Sequence, residues 1–165
     1  MRTIDSKMKN GLAMTMVLCA GLVAVGPGSA VAQDQRPPYW ASIDASRAIM
    51  RRGPSQQMRA LWEYRRPGLP VKVLALHEDW RRVQEPDGTS GWMHRSLITG
   101  RRTAMVTEDR AALRSRPDGS APIDYRAAEG VIGRISDCTP DWCSFDVLGR
   151  RGFVATEDIW GDNAD

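Results

Sequence analysis

The stretch that decides the fold reads Asp79-Trp80-Arg81-Arg82-Val83 and, a few residues later, Gly91-Trp92-Met93. It returns in the same order as Asp141-Trp142-Cys143-Ser144-Phe145 and Gly152-Phe153-Val154. Two upstream blocks keep that order: Met50-Arg51-Arg52-Gly53-Pro54-Ser55 matches Leu113-Arg114-Ser115-Arg116-Pro117-Asp118, and Gly68-Leu69-Pro70-Val71-Lys72-Val73 matches Gly130-Val131-Ile132-Gly133-Arg134-Ile135. Four blocks repeated at nearly one spacing indicate an internal duplication, with one unit over 40–100 and the other over 103–161.

Each unit predicts short strands separated by turns. The segment from Val71 onward is rich in β-branched and apolar residues, and the cluster 85–90 is a turn between two strands, 80–84 and 91–94. The second unit has a tighter version of this hairpin over 147–152. Residues 55–62 are expected to be extended or irregular, because the matching stretch contains Pro122. No helical apolar stripe is present beyond the N-terminal segment, so we predict an all-β fold.

The repeated blocks resemble bacterial SH3-like domains. The shared features are a hydrophobic-Arg-x-Gly-Pro stretch, then Trp-x-x-Val, then Gly-Trp followed by an apolar residue, and the pair of units is similar to exported proteobacterial proteins built from two such domains. This resemblance implies two tandem SH3-like small β-barrels. Arg116 stands where the pattern prefers glycine. We therefore expect the first turn of the second unit to differ from that of the first.

Residues 1–32 are predicted to be a signal peptide. Lys7 and Lys9 precede the largely apolar stretch 12–25, and Ala30-Val31-Ala32 is a cleavage pattern of small residues, so 33–39 becomes a short linker. The alternative is a retained anchor, but the apolar stretch is shorter than the ~20 residues a spanning helix needs. We expect an exported protein, periplasmic or secreted, with no membrane insertion after cleavage. Cys19 follows Leu18 inside the apolar stretch, which disfavours lipidation.

The charge balance excludes a typical nucleic-acid binder. The full chain has 23 basic and 20 acidic residues, and removing 1–32 takes away three basic residues and one acidic residue, leaving 20 and 19. Nineteen of the remaining basic residues are arginine, and they are interspersed with acids. A nucleic-acid-binding domain usually concentrates a basic excess on one face. We expect the arginine pairs to lie on solvated strand faces and turns.

Cys138 and Cys143 are the cysteines of the mature chain and are predicted to form a disulfide. The four residues between them contain Pro140 and form a turn candidate, which would place the two thiols across a hairpin. An exported protein meets oxidising conditions. A redox pair usually has Cys-x-x-Cys spacing, and a zinc site needs further ligands. No metal or cofactor is predicted.

The aromatic residues divide into repeated and unrepeated sets. Trp80, Trp92, Trp142 and Phe153 occupy repeated positions, so we assign them mainly to the framework. The ligand-binding candidates are the unrepeated aromatics of the first unit: Tyr39, Trp40, Trp62 and Tyr64. The repeat spacing matches Trp62 with Asp124 and Tyr64 with Arg126. Flat aromatic grooves are a common way for SH3-type folds to hold peptides. The alternative is that Trp62 covers a seam between the units.

No catalytic arrangement is evident. The chain has two histidines, His77 and His94, and lacks the nucleophile-elbow, zinc-protease and phosphate-loop motifs. We therefore expect a non-catalytic cell-envelope binding module that recognises peptidoglycan or its peptides. A periplasmic adaptor for a protein partner is the alternative. The second unit, with its disulfide, is expected to stabilise the protein, and the first unit is expected to bind the ligand.

Overall fold

The computed structural model describes residues 35–162. The predicted signal peptide, its cleavage site and Cys19 lie outside these residues, as does the start of the predicted linker. Within residues 35–162, no helix has both the length and the apolar character that crossing a membrane would require.

The described chain forms two antiparallel sheets of seven strands each and contains no α-helix. The first sheet, domain 1, consists of β1 (Tyr39–Ile43), β2 (Ala48–Arg51), β3 (Ala60–Tyr64), β4 (Pro70–His77), β5 (Trp80–Gln84), β6 (Ser90–His94) and β7 (Ile98–Thr99). The second sheet, domain 2, consists of β8 (Thr103–Val106), β9 (Arg110–Arg114), β10 (Ile123–Ala128), β11 (Ile132–Ser136), β12 (Trp142–Val147), β13 (Arg150–Ala155) and β14 (Ile159–Trp160). The all-β prediction is confirmed. β1 begins at Tyr39, which the sequence had placed in the linker.

The two sheets have the same topology. The strand order is β3-β2-β6-β5-β4-β1-β7 in domain 1 and β10-β9-β13-β12-β11-β8-β14 in domain 2. A three-residue 3₁₀ turn, Arg95–Leu97, joins β6 to β7, and Thr156–Asp158 does the same for β13 and β14. So short a connection links strands that lie four places apart in the hydrogen-bonded order. Each sheet must therefore curl back on itself.

Strand alternation places each core inside its curled sheet. Side chains that alternate along a strand point to opposite faces. In domain 1 the inward set includes Met50, Val73, Val83 and Met93, all essentially inaccessible to solvent. The buried core cluster of domain 2 consists of Ala104, Val106, Ala111, Leu113, Ala127, Ile135, Cys143, Phe145, Val154 and Ile159.

The cores fill one equivalent space in different ways. Val71 and Val83 in domain 1 correspond by strand pairing to Gly133 and Phe145 in domain 2. A Cβ atom on Gly133 would lie 2.7–2.9 Å from the Phe145 ring carbons. Two valines in one domain thus replace a glycine and a phenylalanine in the other.

The repeated glycines of the Gly-Trp-Met and Gly-Phe-Val blocks mark a close strand crossing. A Cβ atom on Gly91 would lie 2.5 Å from Cγ of Met50 and 2.9 Å from the carbonyl oxygen of Arg51. On Gly152 it would lie 2.8 Å from Cβ of Leu113. Protein interiors leave no room for such overlap. Glycine at these positions lets the final long strand of each domain lie directly against β2 or β9.

The turn after β2 is the same in both domains, so the difference expected from Arg116 is wrong. Backbone hydrogen bonds Ser55 N–H to Gly53 O (2.9 Å) and Arg52 N–H to Arg59 O (3.0 Å) recur as Asp118 to Arg116 (2.8 Å) and Ser115 to Pro122 (3.0 Å). What differs is the packing. A Cβ atom on Gly53 would lie 3.0 Å from Cγ of Met58, whereas the equivalent of Met58 is the small residue Ala121.

The predicted disulfide is confirmed. Cys138 and Cys143 are bonded, with their Cα atoms 4.1 Å apart. The bond closes the loop between β11 and β12, and Cys143 is fully buried in the core of domain 2. The disulfide therefore links an exposed loop directly to a buried residue of the domain 2 core.

The domains meet at a seam of buried hydroxyls. Ser42 Oγ lies 2.6 Å from Thr103 Oγ1 and 2.7 Å from the carbonyl oxygen of Arg101, and Thr103 Oγ1 lies 2.7 Å from the carbonyl oxygen of Gly68. The two hydroxyl hydrogens can make two of these three contacts hydrogen bonds at any one time. At one end of the seam the ring of Trp40 meets the ring of Trp160 edge to face, with centroids 4.6 Å apart.

Candidate binding surfaces

A cleft of about 410 Å³ lies on the outer face of domain 1. Because Met50, Val83 and Met93 point inward, their strand neighbours point outward and line this cleft. The lining residues come from β2, β5, β6 and the connections beside them: Arg47, Ile49, Arg51, Gln56, Trp80, His94, Ser96 and Leu97.

The cleft contains an aromatic pair. Trp80 and His94 are directly opposite each other on β5 and β6, with ring centroids 5.5 Å apart in an edge-to-face arrangement. The backbone N–H of Ser96 donates to Nδ1 of His94 at 3.3 Å. The nitrogen that accepts this hydrogen bond is Nδ1, which places the ring hydrogen on Nε2. Nε2–H is thus available as a donor to a ligand.

Arginines flank the cleft. Arg47 donates to Oε2 of Glu63 at 2.8 Å, and Arg65 donates to Oε1 at 2.8 Å. The hydrogen bond from Arg47, followed by that from Arg65, lowers the pKa of Glu63 to about 2. These side chains are largely solvated, so the ion pairs orient the cations more than they stabilise the fold.

The arginine of the hydrophobic-Arg-x-Gly-Pro stretch has a structural task. Arg51 donates to the carbonyl oxygen of Met58 at 2.8 Å, and its counterpart Arg114 donates to that of Ala121 at 2.7 Å. In both domains the side chain holds the loop after β2 or β9 against the sheet. Arg51 therefore presents a guanidinium to the cleft that is already fixed in position.

Two segments, 44–100 and 107–161, match the family model described as bacterial SH3 domain. The chain belongs to the bacterial SH3 domain family. The resemblance inferred from the repeated blocks is thereby confirmed, as is the tandem SH3-like fold. Bacterial SH3 domains are typically cell-wall binding modules.

No curated protein matches the chain. Similar solved structures include NlpC2 from Trichomonas vaginalis (11% identity, TM-score 0.35, covering 76% of this chain and 48% of that one). They also include NlpC1 from the same organism (12%, 0.36, 83% and 52%) and an NlpC/P60 family protein from Bacillus cereus (14%, 0.33, 74% and 56%). The chain thus spans about half the length of these proteins.

The outer cleft is duplicated only in part between the two SH3 domains. Strand pairing puts Ala112 and Ala155 of domain 2 at the positions of Ile49 and His94. Ser96 and Leu97 correspond to Glu157 and Asp158, because the 3₁₀ turns are equivalent. Burial, and then the nearby Glu157 and Glu108 carboxylates, raise the pKa of Asp158. The tryptophan and the two arginines of the cleft recur as Trp142, Arg110 and Arg114. Domain 1 is therefore distinguished by its apolar and imidazole side chains, where domain 2 presents small and acidic ones.

The four predicted ligand-binding aromatics do not line one groove, and none of them lines the outer cleft. Tyr64 is 6% exposed in the core, and Tyr39 packs against that core. Trp40 lies at the seam, between Trp160 and the ammonium of Lys72, which is 5.4 Å from its ring centroid. Trp62 alone is widely exposed, at 62%, so the seam is covered by Trp40 and not by Trp62.

The matching of Trp62 and Tyr64 with Asp124 and Arg126 is also wrong. Trp62 pairs with Met50, and its counterpart by the same pairing is Tyr125, opposite Leu113. Tyr64 corresponds in the same way to Ala127. Tyr125 is exposed like Trp62, and the guanidinium of Arg150 lies 5.9 Å from its ring centroid. An exposed aromatic on the β2–β3 hairpin is thus a repeated feature.

Tyr64 and its neighbour Glu85 form a buried polar contact. Burial, and then the charge of Glu85, raise the pKa of the Tyr64 hydroxyl. Burial likewise raises the pKa of Glu85, against the hydrogen bond from Tyr64. This pairing gives Tyr64 a framework role in domain 1.

The repeated aromatics assigned to the framework lie outside both core clusters. Trp80 is 9% exposed but faces outward, and Trp92, Trp142 and Phe153 are half-buried on the outer faces. The Trp92 ring meets His77 edge to face at 6.2 Å. Trp80 therefore lines the candidate site, although its repeated position favoured a framework role. The signal that could have found it is the presence of His94 in only one repeat.

The described residues offer a limited chemical repertoire. Cys138 and Cys143 are joined in the disulfide, so neither is a free thiol nucleophile. Within residues 35–162, no three metal-ligating side chains come together. The outer cleft instead combines ring faces, an imidazole donor and guanidinium groups, which suits non-covalent binding.

Proposed function

We propose that this protein is an exported, non-catalytic cell-envelope module that binds peptides of peptidoglycan through the outer cleft of domain 1. The observation that carries the proposal is the asymmetry of the duplication. The two copies share the tryptophan and the two arginines of this surface, but they differ at four other lining residues: His94, Ile49, Ser96 and Leu97. The fold that the copies share does not require these four differences.

The cleft suits a short peptide that carries carboxylates. The Trp80 ring, Ile49 and Leu97 provide apolar contact for small side chains. Arg51 and Arg47 can each form charge-assisted hydrogen bonds to a carboxylate, and Nε2–H of His94 can donate to a peptide carbonyl. Aromatic surfaces with a few polar anchors are a recurring mode of peptide recognition.

Export is part of the proposal. It rests on the sequence of residues 1–32, with its basic start, apolar stretch and Ala30-Val31-Ala32. The Cys138–Cys143 bond is consistent with an oxidising compartment.

Co-sedimentation with purified sacculi tests the proposal. The informative variants copy domain 2 into domain 1, namely His94→Ala and Ile49→Ala, because Ala155 and Ala112 already fit the same backbone. We expect the double variant to bind about tenfold more weakly, the equivalent of 1.4 kcal/mol. Arg126→Ala, an exposed change outside the cleft, is the matched control and should bind like the parent. A folded parent protein that stays in the supernatant would sink the proposal.

A protein partner is the second candidate, and the exposed β2–β3 hairpin favours it. Trp62 is 62% exposed beside Met58 and Leu61, at 47% and 42%. Exposed tryptophans often dominate the energy of protein interfaces. Crosslinking in cells should then capture one specific protein with the parent and not with Trp62→Ala, whereas capture that ignores this substitution would exclude the hairpin.

A further inference from the structure

A second cleft runs along the junction of the two domains. One part, of about 430 Å³, is lined by Arg101 and Arg102, which lie between β7 and β8, together with residues of β11, β12 and β13. The other, of about 360 Å³, is lined from both domains. Arg101, Arg134 and Asp146 line both parts, which makes them one continuous surface, called here the junction cleft.

The first part of the junction cleft is strongly cationic. It is lined by four arginines, Arg101, Arg102, Arg134 and Arg151, against the two acids Asp137 and Asp146. This leaves an excess of two positive charges. Arg101 has a further acidic neighbour in Asp44, at 3.8 Å, which is a long and solvated contact.

One carboxylate orients two of these arginines. Oδ2 of Asp146 accepts from Nε of Arg151 at 2.9 Å and from Nη2 of Arg134 at 3.4 Å, while Oδ1 accepts the backbone N–H of Gly149 at 2.7 Å. The bond from Gly149, and then that from Arg151, lower the pKa of Asp146. These contacts use one nitrogen of each guanidinium. The remaining N–H groups of Arg134 and Arg151 can address a further oxyanion.

Arg102 adds a cation that is poorly compensated. It donates to the carbonyl oxygen of Gly161 at 3.3 Å, and its buried Nε has no hydrogen-bond partner among the described residues. Burial lowers the pKa of this guanidinium, with Asp162 opposing the shift. Arg102 thus adds to the positive charge of this part of the cleft.

The arginine cluster is not part of the shared framework. Strand pairing puts Lys72, Gln84 and Ser90 of domain 1 at the positions of Arg134, Asp146 and Arg151. The two domains keep the same topology without it. The shared topology therefore does not require the cluster.

The other part of the junction cleft ends in an exposed aliphatic side chain. Leu148 lies at the tip of the β12–β13 turn, fully exposed, with φ of 53°. A branched aliphatic residue pays a conformational penalty in this left-handed region, where asparagine and glycine are usual. Pro67 and Ile132 line the same part of the cleft.

We propose that the junction cleft binds the C-terminal carboxylate of a short peptide whose last side chain is apolar. The carboxylate sits against Arg134, Arg151 and Arg101, and the apolar side chain sits between Leu148 and Pro67. This site uses none of the residues of the outer cleft. Its existence therefore does not depend on the function proposed above.

The test is a titration followed by backbone amide NMR shifts, on protein recovered from cells that express the full sequence. The probes are N-acetyl-alanyl-leucine, its C-terminal amide and inorganic phosphate. We expect the free acid to shift amides around Arg134, Gly149 and Arg151, with at least tenfold weaker binding of the amide and of phosphate. Equal binding of acid and amide overturns the proposal, and tighter binding of phosphate overturns the assignment to a peptide.

Variants complete the design. Arg134→Gln and Arg151→Gln change exposed side chains and should each weaken binding of the acid about tenfold, the loss typical of one charge-assisted contact. Leu148→Asn suits the left-handed turn, so it should fold normally and still bind more weakly. Arg126→Ala, an exposed change outside both clefts, should bind the acid like the parent. Loss with His94→Ala but not with Arg134→Gln would move the site to the outer cleft and refute the inference, whatever the sacculus experiment shows.

Discussion

Exchanging core residues between the domains offers a quantitative test of the duplicated framework. Phe145→Val removes four carbon atoms from a fully buried site, which at ~0.8 kcal/mol per carbon gives a loss of about 3 kcal/mol before any cavity cost. Gly133→Val alone forces atoms against the Phe145 ring, where a Cβ would already lie 2.7–2.9 Å away. Overpacking of this kind costs about 1–3 kcal/mol.

The double variant Gly133→Val/Phe145→Val should recover most of this loss. It reproduces the Val71 and Val83 pair, which packs well in domain 1. We expect its stability to lie within about 1 kcal/mol of the parent, and hence a coupling energy of at least ~2 kcal/mol between the two sites.

Urea unfolding measures the four proteins, and amide hydrogen exchange in β11 and β12 assigns the change to domain 2. The conservative control is Ile135→Val, a core change that no glycine compensates. A double variant that is no more stable than the less stable single variant would show that the two cores are not alternative ways of filling one space.

Three further outcomes are expected. Reducing the Cys138–Cys143 bond should lower the free energy of unfolding by about 2 kcal/mol, the chain-entropy value for so short a loop; an unchanged urea midpoint with reductant would contradict this. Thr103→Val should cost about 1–3 kcal/mol by leaving seam partners unsatisfied, while Thr107→Val, exposed, should not change the midpoint. The carboxyl of Glu63 should titrate near pH 2 by NMR. Its contribution to stability is therefore present above its ordinary pKa and is lost as the pH falls towards 2. In Arg47→Ala the pKa of Glu63 should rise, and an unchanged pKa would exclude the ion pair.

Much of the fold followed from the residue pattern, because strands leave a strong local signature. Alternation around Val71 and Val83, and the paired Gly-Trp and Gly-Phe blocks, located the central strands of both domains. β3 was missed as a strand because its residues lie at the sheet edge, where most are exposed and the alternation disappears.

The error in matching Trp62 has a simple physical origin. The loop between β3 and β4 is one residue shorter in domain 2, so the offset between the domains changes from 63 before it to 62 after it. Applying the later offset to β3 shifted the match by one residue. In a strand, that shift exchanges the two faces.

The candidate site was harder to predict. The outer cleft takes Trp80 and His94 from the predicted β5–β6 hairpin, but it takes Ile49 from β2, which lies beside that hairpin only in the folded sheet. Repetition identified Trp80 as important without showing which face it occupies. The junction cleft needs both the segment between β7 and β8 and the β12–β13 turn, and no local pattern encodes their proximity.

The contact between Trp40 and Trp160 brings the beginning of domain 1 beside the end of domain 2. The polypeptide runs from Trp40 through the strands of both domains to Trp160, so it ends next to the place where domain 1 begins. A circular permutant should therefore be feasible, with a short connection across the two tryptophans and new termini opened at the exposed Gly100. Any segment attached before Tyr39 or after Gly161 leaves from this same corner of the molecule.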